Sequence, residues 1–428
     1  MITALLITVF VVAYAAIALE HPLGVNKSAS ALIGAGLLWT LYASSVGDPQ
    51  VVSAHLGESL LGTAQIVFFL LGAMTIVEVV DAHDGFDVIT SRIRTRSVAS
   101  LLWLVGVFTF FLSAILDNLT TTIVMISLMQ KLLADRQERL FFAGVIVIAA
   151  NAGGAWSPIG DVTTTMLWIG GQVTSLPLIK SVFVPALVSL LVPLAATAMA
   201  TRGRIVVAAD LASHGRGAVT TVFERRLMLS LGLGVLVAVP AFKAATHLPP
   251  FMGVLFGLGI LWLVGDLLHR GKDAEESKRL TLVHALSRID LSSIVFFVGI
   301  LLAVAVLEHA HVLSAIAAWL DETVGRLDVI VVIIGLVSAV VDNVPLVAAS
   351  MGMYSLEQYP PDHFLWGFLA YCAGTGGSIL VIGSAAGVAA MGLEKIDFLW
   401  YLKKISLLAL VGYLAGAAAF LVQHALLG

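Results

Sequence analysis

Four stretches place polar side chains inside otherwise apolar sequence. The first is Asp117-Asn118-Leu119-Thr120-Thr121-Thr122, and the second runs from Asn151 to Thr165 as NAGGAWSPIGDVTTT. A weaker copy of both follows near the C-terminus: Asp342-Asn343-Val344-Pro345, then Ala373 through Ser384. Carboxylates, Asn amide oxygens, hydroxyls and loose backbone carbonyls are the oxygen ligands a small hard cation such as Na+ needs in place of water. A carboxyl group held out of water also binds a proton more tightly, and a neighbouring carboxylate adds to that effect. The pattern therefore points to a site where cation and proton compete. The candidate ion ligands are Asp117, Asn118, Thr120, Thr121, Asn151, Ser157, Asp161, Thr164, Asp342, Asn343, Ser378 and Ser384. Asp117, Asp161, Asp342 and Glu78 are the candidates for proton coupling. Gly153, Gly154, Pro158, Gly376 and Gly377 predict breaks in helices, whose freed backbone groups need a partner.

Simpler roles compete with these. Asp117, Asp161 and Asp342 are also suited to capping the helix that follows each of them. Thr120, Thr121, Thr163 and Thr164 can bond back to their own helix. Glu78 lies near the end of its apolar segment, where a long side chain snorkels to water. His83, His309 and His311 fall near segment ends and read as interfacial.

The elements that position these residues belong in a bilayer. Of 428 residues, 59% are hydrophobic and 12% charged, about half the charge of a soluble domain, and the mean hydropathy is +1.02. The single cysteine, Cys372, excludes a disulfide framework and Cys-based metal centres. Apolar windows at 2–19, 28–46, 60–80, 176–200, 227–242, 250–268, 290–308 and 398–422 each fit a spanning helix. Windows 140–169 and 363–392 are interrupted by the Gly-rich stretches and read as broken helices. Windows 98–130 and 328–353 fold back at an Asp-Asn, each half too short to span, as re-entrant hairpins. Residues 1–19 lack a basic start and a cleavage pattern and read as a retained first helix. Trp39, Trp103, Trp262, Trp319 and Trp400 suit interfacial anchors.

With loop 47–59 outside and each hairpin returning to its own side, 20 of the 23 Lys and Arg fall in inside loops, Lys27 among them. Both termini are then expected outside. Segment 271–288 is expected to be a solvated loop or surface helix attracted to anionic headgroups, and segment 309–327 a similar arm on the outer face.

The halves repeat. Ile66-Val67-Phe68-Phe69 and Ile294-Val295-Phe296-Phe297 are separated by 228 residues, Asp117-Asn118 and Asp342-Asn343 by 225, and Gly153-Gly154 and Gly376-Gly377 by 223. The fold class expected is an all-α polytopic membrane protein with two inverted-topology repeats, about ten transmembrane helices, two re-entrant hairpins and two broken helices. Repeat 1 would cover 1–200, a cytoplasmic linker 201–226, and repeat 2 227–428. Such repeats are common in secondary transporters, with the site at the repeat interface near the midplane.

Several motifs together resemble the NhaD-type sodium/proton antiporters of the ion transporter superfamily. They are Phe68 through Glu78 with Asp81-Ala82-His83-Asp84-Gly85-Phe86, Leu116 through Thr122, Asn151 through Thr165, Val341 through Val347, and Gly374 through Gly387. The resemblance implies exchange of Na+ or Li+ for H+ and no organic cofactor. It also implies a homodimer in a bacterial-type inner (plasma) membrane, and a transport domain moving elevator-fashion against a scaffold. Divalent-anion relatives carry Ser-Asn-Thr at the hairpin tips, where this chain has Asp117-Asn118-Leu119 and Asp342-Asn343-Val344. Fixed carboxylates suit a cation exchanger better than an anion carrier, which is the nearest rival. An intramembrane hydrolase is disfavoured: there is no His-Glu-x-x-His and no Gly-x-Ser-x-Gly. Paired broken helices favour a carrier over a channel. Neither an enzyme nor a nucleic-acid partner is expected.

Overall fold

The computed structural model describes residues 2–86, 88, 97–205, 220–270 and 279–427. Arg92, Arg94, Arg96, Arg216, Lys272 and Lys278, with most of linker 201–226 and the first part of segment 271–288, lie outside the described residues. The chain is an all-α polytopic membrane protein. Nine of the described helices are long and apolar enough to cross a bilayer. Among the described residues the only β pairing is an isolated bridge between Ser97 and Ile205.

The chain begins with α1 (Ile2–Ala18), a short α2 (Glu20–Leu23), α3 (Lys27–Val46) and α4 (Pro49–Ala82). The first hairpin is α5 (Val98–Leu116) and α6 (Asn118–Leu132); the first broken helix is α7 (Arg136–Ala155) and α8 (Val162–Ile169). After α9 (Ser175–Ala200) come α10 (Val222–Thr246), α11 (Pro250–His269), α12 (Leu282–Arg288), α13 (Leu291–His309) and α14 (Val312–Val324). The second hairpin is α15 (Leu327–Val337) and α16 (Asn343–Met353), and the second broken helix is α17 (Phe364–Gly376) and α18 (Ala385–Glu394). The chain closes with α19 (Phe398–Lys404) and α20 (Ser406–Leu427).

Three expectations are corrected. Loop 47–59 shrinks to Gly47-Asp48, because the Asp48 side chain caps a helix that starts at Pro49 and runs 34 residues. At 1.5 Å per residue that helix is about 50 Å long, well beyond the hydrocarbon thickness. The first hairpin is not made of two short arms: α5 has 19 residues and counts among the helices long enough to cross. Window 398–422 is two helices, parted at Ile405.

The helices sort into two sets by packing. In one, α3 lies along α1 and α13, and α4 packs on α10, α11, α12 and α13. In the other, the hairpins and broken helices pack on each other and on the pair α9 and α20. The sets meet chiefly where α13 touches α16, where α4 touches α8, and where α10 touches α5.

Each half inserts a broken helix against its own hairpin through the same contacts. The Ser113 hydroxyl donates to the Ala150 carbonyl at 2.6 Å, and the Ser338 hydroxyl, 225 residues later, donates to Ala373 at 3.0 Å. A Cβ on Gly153 would fall inside the van der Waals shell of the Phe110 carbonyl oxygen, and one on Gly376 inside that of Gly335. Gly160 and Gly383 repeat the pattern, with hypothetical Cβ atoms 2.7 Å from the Ser113 oxygen and 2.7 Å from the Ser338 oxygen. These glycines are where two backbones touch. Both serines are fully buried, so Ser113→Ala or Ser338→Ala removes a donor that no water replaces. Each is expected to cost about 1–3 kcal/mol, read as a lower melting temperature of the detergent-purified protein.

Candidate functional site: a carboxylate cavity between two hairpin tips

Both hairpins turn at their aspartates. Asp117 sits between α5 and α6 with φ 82° and ψ 160°, a region almost confined to glycine that costs a side-chain-bearing residue roughly 1–3 kcal/mol. Its carboxylate holds the turn, accepting from the Thr120 amide and from the Thr120 hydroxyl, both at 2.8 Å. Asp342 has ordinary dihedrals, φ −43° and ψ 135°, and accepts from the Val344 amide at 3.2 Å. Asp161 starts α8 and accepts from the Thr163 amide at 3.0 Å. All three aspartates therefore cap the helices that follow them. The caps also aim them at one place.

Asp117, Asp161 and Asp342, with Asn118, Asn343 and Lys27, line a cavity of about 30 Å³ closed by Leu70, Met74, Phe297 and Val344. That is room for an ion or a water or two, not for an organic solute. Asp161 is its centre, 1% exposed. Its Oδ2 accepts from the Asn118 amide of the first tip at 2.8 Å and from the Asn343 amide of the second at 3.4 Å. Asp117 and Asp342 line the same cavity as Asp161. Asn118 also donates to Asn151 at 2.9 Å, and Asn151 in turn donates to the hydroxyls of Ser378 and Ser384 at 2.9 and 2.8 Å. One hydrogen-bonded chain thus runs from the first hairpin through both broken helices.

Not every expected ligand reaches this point. The Ser157 hydroxyl donates to the Ala114 carbonyl at 2.6 Å and ties the broken helix to α5. Thr164 bonds back to the Asp161 carbonyl at 2.9 Å, and Thr120 is committed to Asp117. The Thr121 hydroxyl is buried with no hydrogen-bond partner among the described residues, and it does not line the cavity.

A larger cleft of about 320 Å³ lies beside the first tip, shares Met74 and Leu119 with the small cavity, and runs past Thr120 to Glu78, Arg288 and Asp290. Glu78 is paired. Its carboxylate stands 2.8 Å from the Arg288 guanidinium. His83 is fully buried, 3.0 Å from the buried His269. His309 stacks on His55 with ring centroids 4.2 Å apart. The Trp39 indole donates to the Leu302 carbonyl at 3.0 Å, a packing contact between α3 and α13, not a membrane anchor.

Lys27 is the residue that reading the sequence misplaced. Counted there as a loop charge, it is the first residue of α3, and its ammonium lies 3.2 Å from Asp342. Its one visible signal is a lone Lys opening an apolar helix. Ser113 and Ser338 were overlooked too, although they share the 225-residue spacing of the Asp-Asn pairs.

The chain aligns over nearly its full length with curated antiporters. It is 51% identical to "Sodium/proton antiporter 1" of Arabidopsis thaliana over 97% of this chain and 71% of that one. Against "Sodium/proton antiporter 2" of the same plant it is 45% identical over 97% and 98%. It is 33% identical to "Na(+)/H(+) antiporter NhaD" of Alkalimonas amylolytica over 98% and 90%. The chain belongs to the NhaD-type antiporter family. A family model described as "Citrate transporter" matches residues 9–371. In this NhaD-type chain the tips carry the carboxylates, and the cavity holds three of them against one ammonium.

Proposed function

We propose that the protein exchanges Na+ for H+ across a membrane, the two ions competing for Asp117 and Asp161. The observation that carries this is the convergence of both tip asparagines on one buried carboxylate, in a cavity lined by three aspartates. A desolvated cluster of that kind is stable when it holds a metal ion or protons and costly when it holds neither. The printed names of the relatives support the same ion pair.

The description of that family model raises a second reading, a sodium-coupled carrier of organic acids. Cavity size and charge weigh against it. A multiply charged carboxylate would meet three aspartates, with Lys27 the one cationic group lining the space, and like charges at close range repel by several kcal/mol.

Finer features belong to the same proposal. Li+ would follow Na+, being a small hard cation that takes the same ligands. The matched hairpin contacts support two repeats, 1–200 and 227–428, and the basic inside loops support their inverted orientation. They also favour a plasma (inner) membrane setting with both termini outside. The division of helices into two sets with few shared contacts suits elevator-like movement of the hairpin set against the other, in a homodimer, as the family resemblance implies.

The test is a pulse of NaCl given to proteoliposomes carrying a pH gradient and a lumenal pH dye. Saturable proton movement with Na+ or Li+, and none with citrate, is expected. Citrate-dependent uptake at fixed pH with no cation-driven proton movement would refute the proposal.

A further inference from the structure

Asp342 occupies in the second half the position Asp117 occupies in the first, yet the two carboxylates are satisfied differently. Asp117 is held entirely by Thr120 of its own hairpin. Asp342 uses one oxygen for the Val344 amide, and the other faces the Lys27 ammonium at 3.2 Å. This is no surface ion pair: the two side chains are 18% and 12% exposed, and Lys27 lies over the Phe296 ring at 4.5 Å. The partners also come from different helix sets, Lys27 from α3 and Asp342 from the second hairpin.

We infer that Lys27 is a tethered internal cation that fills the second tip's half of the site, competing with the transported ion for Asp342. The inference rests on the exchange proposed above. Other charged and titratable groups close by are few. Asp117 and Asp161 share the cavity; the Tyr14 hydroxyl of α1 is buried within electrostatic reach of Asp342. Glu20 of α2 accepts from the Lys27 backbone amide at 3.1 Å. Further along α4, Glu78 is occupied by Arg288. Asp342 is thereby neutralised by the protein itself, and Asp117 with Asp161 remain for the cargo. The pair also joins the two helix sets, so relative movement of the sets must part Lys27 from Asp342. Parting is easiest when a proton or cation replaces the ammonium at Asp342, since an unpaired buried carboxylate is costly. Lys27 then discourages movement of an unloaded site.

The test measures exchange in proteoliposomes against Na+ concentration and pH for wild type, Lys27→Gln, Lys27→Arg, Asp342→Asn and the double Lys27→Gln/Asp342→Asn. Removing the competing cation should lower the half-saturating Na+ in Lys27→Gln by about fivefold at alkaline pH, where protons do not compete. Asp342→Asn frees the ammonium beside the other carboxylates and should raise half-saturation. Lys27→Arg, which keeps the charge, should stay within about twofold of wild type, and the double variant, lacking the freed ammonium, should have a lower half-saturation than Asp342→Asn alone. Lys27→Gln with unchanged half-saturation, or moving in the same direction as Asp342→Asn, overturns the inference. If Lys27→Gln does not fold, the double variant set against Asp342→Asn decides: a lower half-saturation in the double variant supports the inference, and an equal or higher one overturns it. A wild type without sodium/proton exchange removes both this inference and the function beneath it, whereas exchange with the wrong variant pattern removes this one alone.

Discussion

Asp161→Asn should abolish sodium-driven proton movement, lowering the rate at least about 100-fold, as loss of a charged group at the reacting position does. Asp161 is the one carboxylate bonded by the tips of both hairpins, through Asn118 and Asn343. The amide oxygen can keep the Thr163 cap, but the amide nitrogen then stands at the Oδ2 position, where it cannot accept from Asn118 and Asn343, so the contacts to both tips are lost with the charge. With the negative charge go both the cation's counter-ion and the proton's binding site. Asp117→Asn is expected to be severe too. In that variant an amide nitrogen at the Oδ2 position can donate to the Thr120 hydroxyl, which accepts as well as donates, while the amide oxygen keeps the Thr120 amide, so the turn at φ 82° retains its contacts. The comparison is Asp161→Asn and Asp117→Asn against wild type at matched protein density, by the lumenal dye assay, with a melting curve beside each. An Asp161→Asn protein that melts like wild type and still exchanges at a tenth of the rate or better would remove Asp161 from the mechanism.

Gly376→Ala is the substitution expected to damage the fold most. The added methyl would sit against the Gly335 carbonyl, backbone on backbone, with no side chain able to swing aside. The helices must separate, and overpacking with a displaced backbone costs about 3 kcal/mol or more. Gly153→Ala repeats the insult in the other half, against the Phe110 carbonyl. Gly36→Ala is the control, since nothing lies within 4 Å of its would-be methyl and alanine is the better helix former. A melting series in detergent should show the first two variants strongly destabilised, or absent from the purified fraction, and the third at or above wild type. Equal melting of Gly376→Ala and Gly36→Ala would mean the close approach of α15 and α17 does not hold the site.

The membrane class, the two turns at Asp-Asn and the two broken helices were legible in the sequence. Each follows from local properties: the length of an apolar run, the residues that interrupt it, and the cost of leaving backbone polar groups unpaired in lipid. The capping roles of Asp117, Asp161 and Asp342 were equally local, since a cap and the amide it accepts from lie two or three residues apart. Where a helix ends in space was less legible. Apolar periodicity did not reveal that Gly47-Asp48 suffices as a turn, or that α5 is a full-length arm.

Only the tertiary structure decided which polar groups share the cavity. Lys27 and Asp342 are separated by 315 residues in sequence, and charge counting assigned the lysine to a loop. Ser157 and Thr164 looked like ligands by type, but their hydroxyls point to the Ala114 and Asp161 carbonyls. Side-chain direction at a helix break depends on how one helix is turned and shifted against another from the opposite half. No local rule of spacing carries that register. The sequence therefore determined that carboxylates, amides and hydroxyls would be held away from water, while packing between the halves determined that Asp161 is the one both tips reach and that a lysine stands at the second.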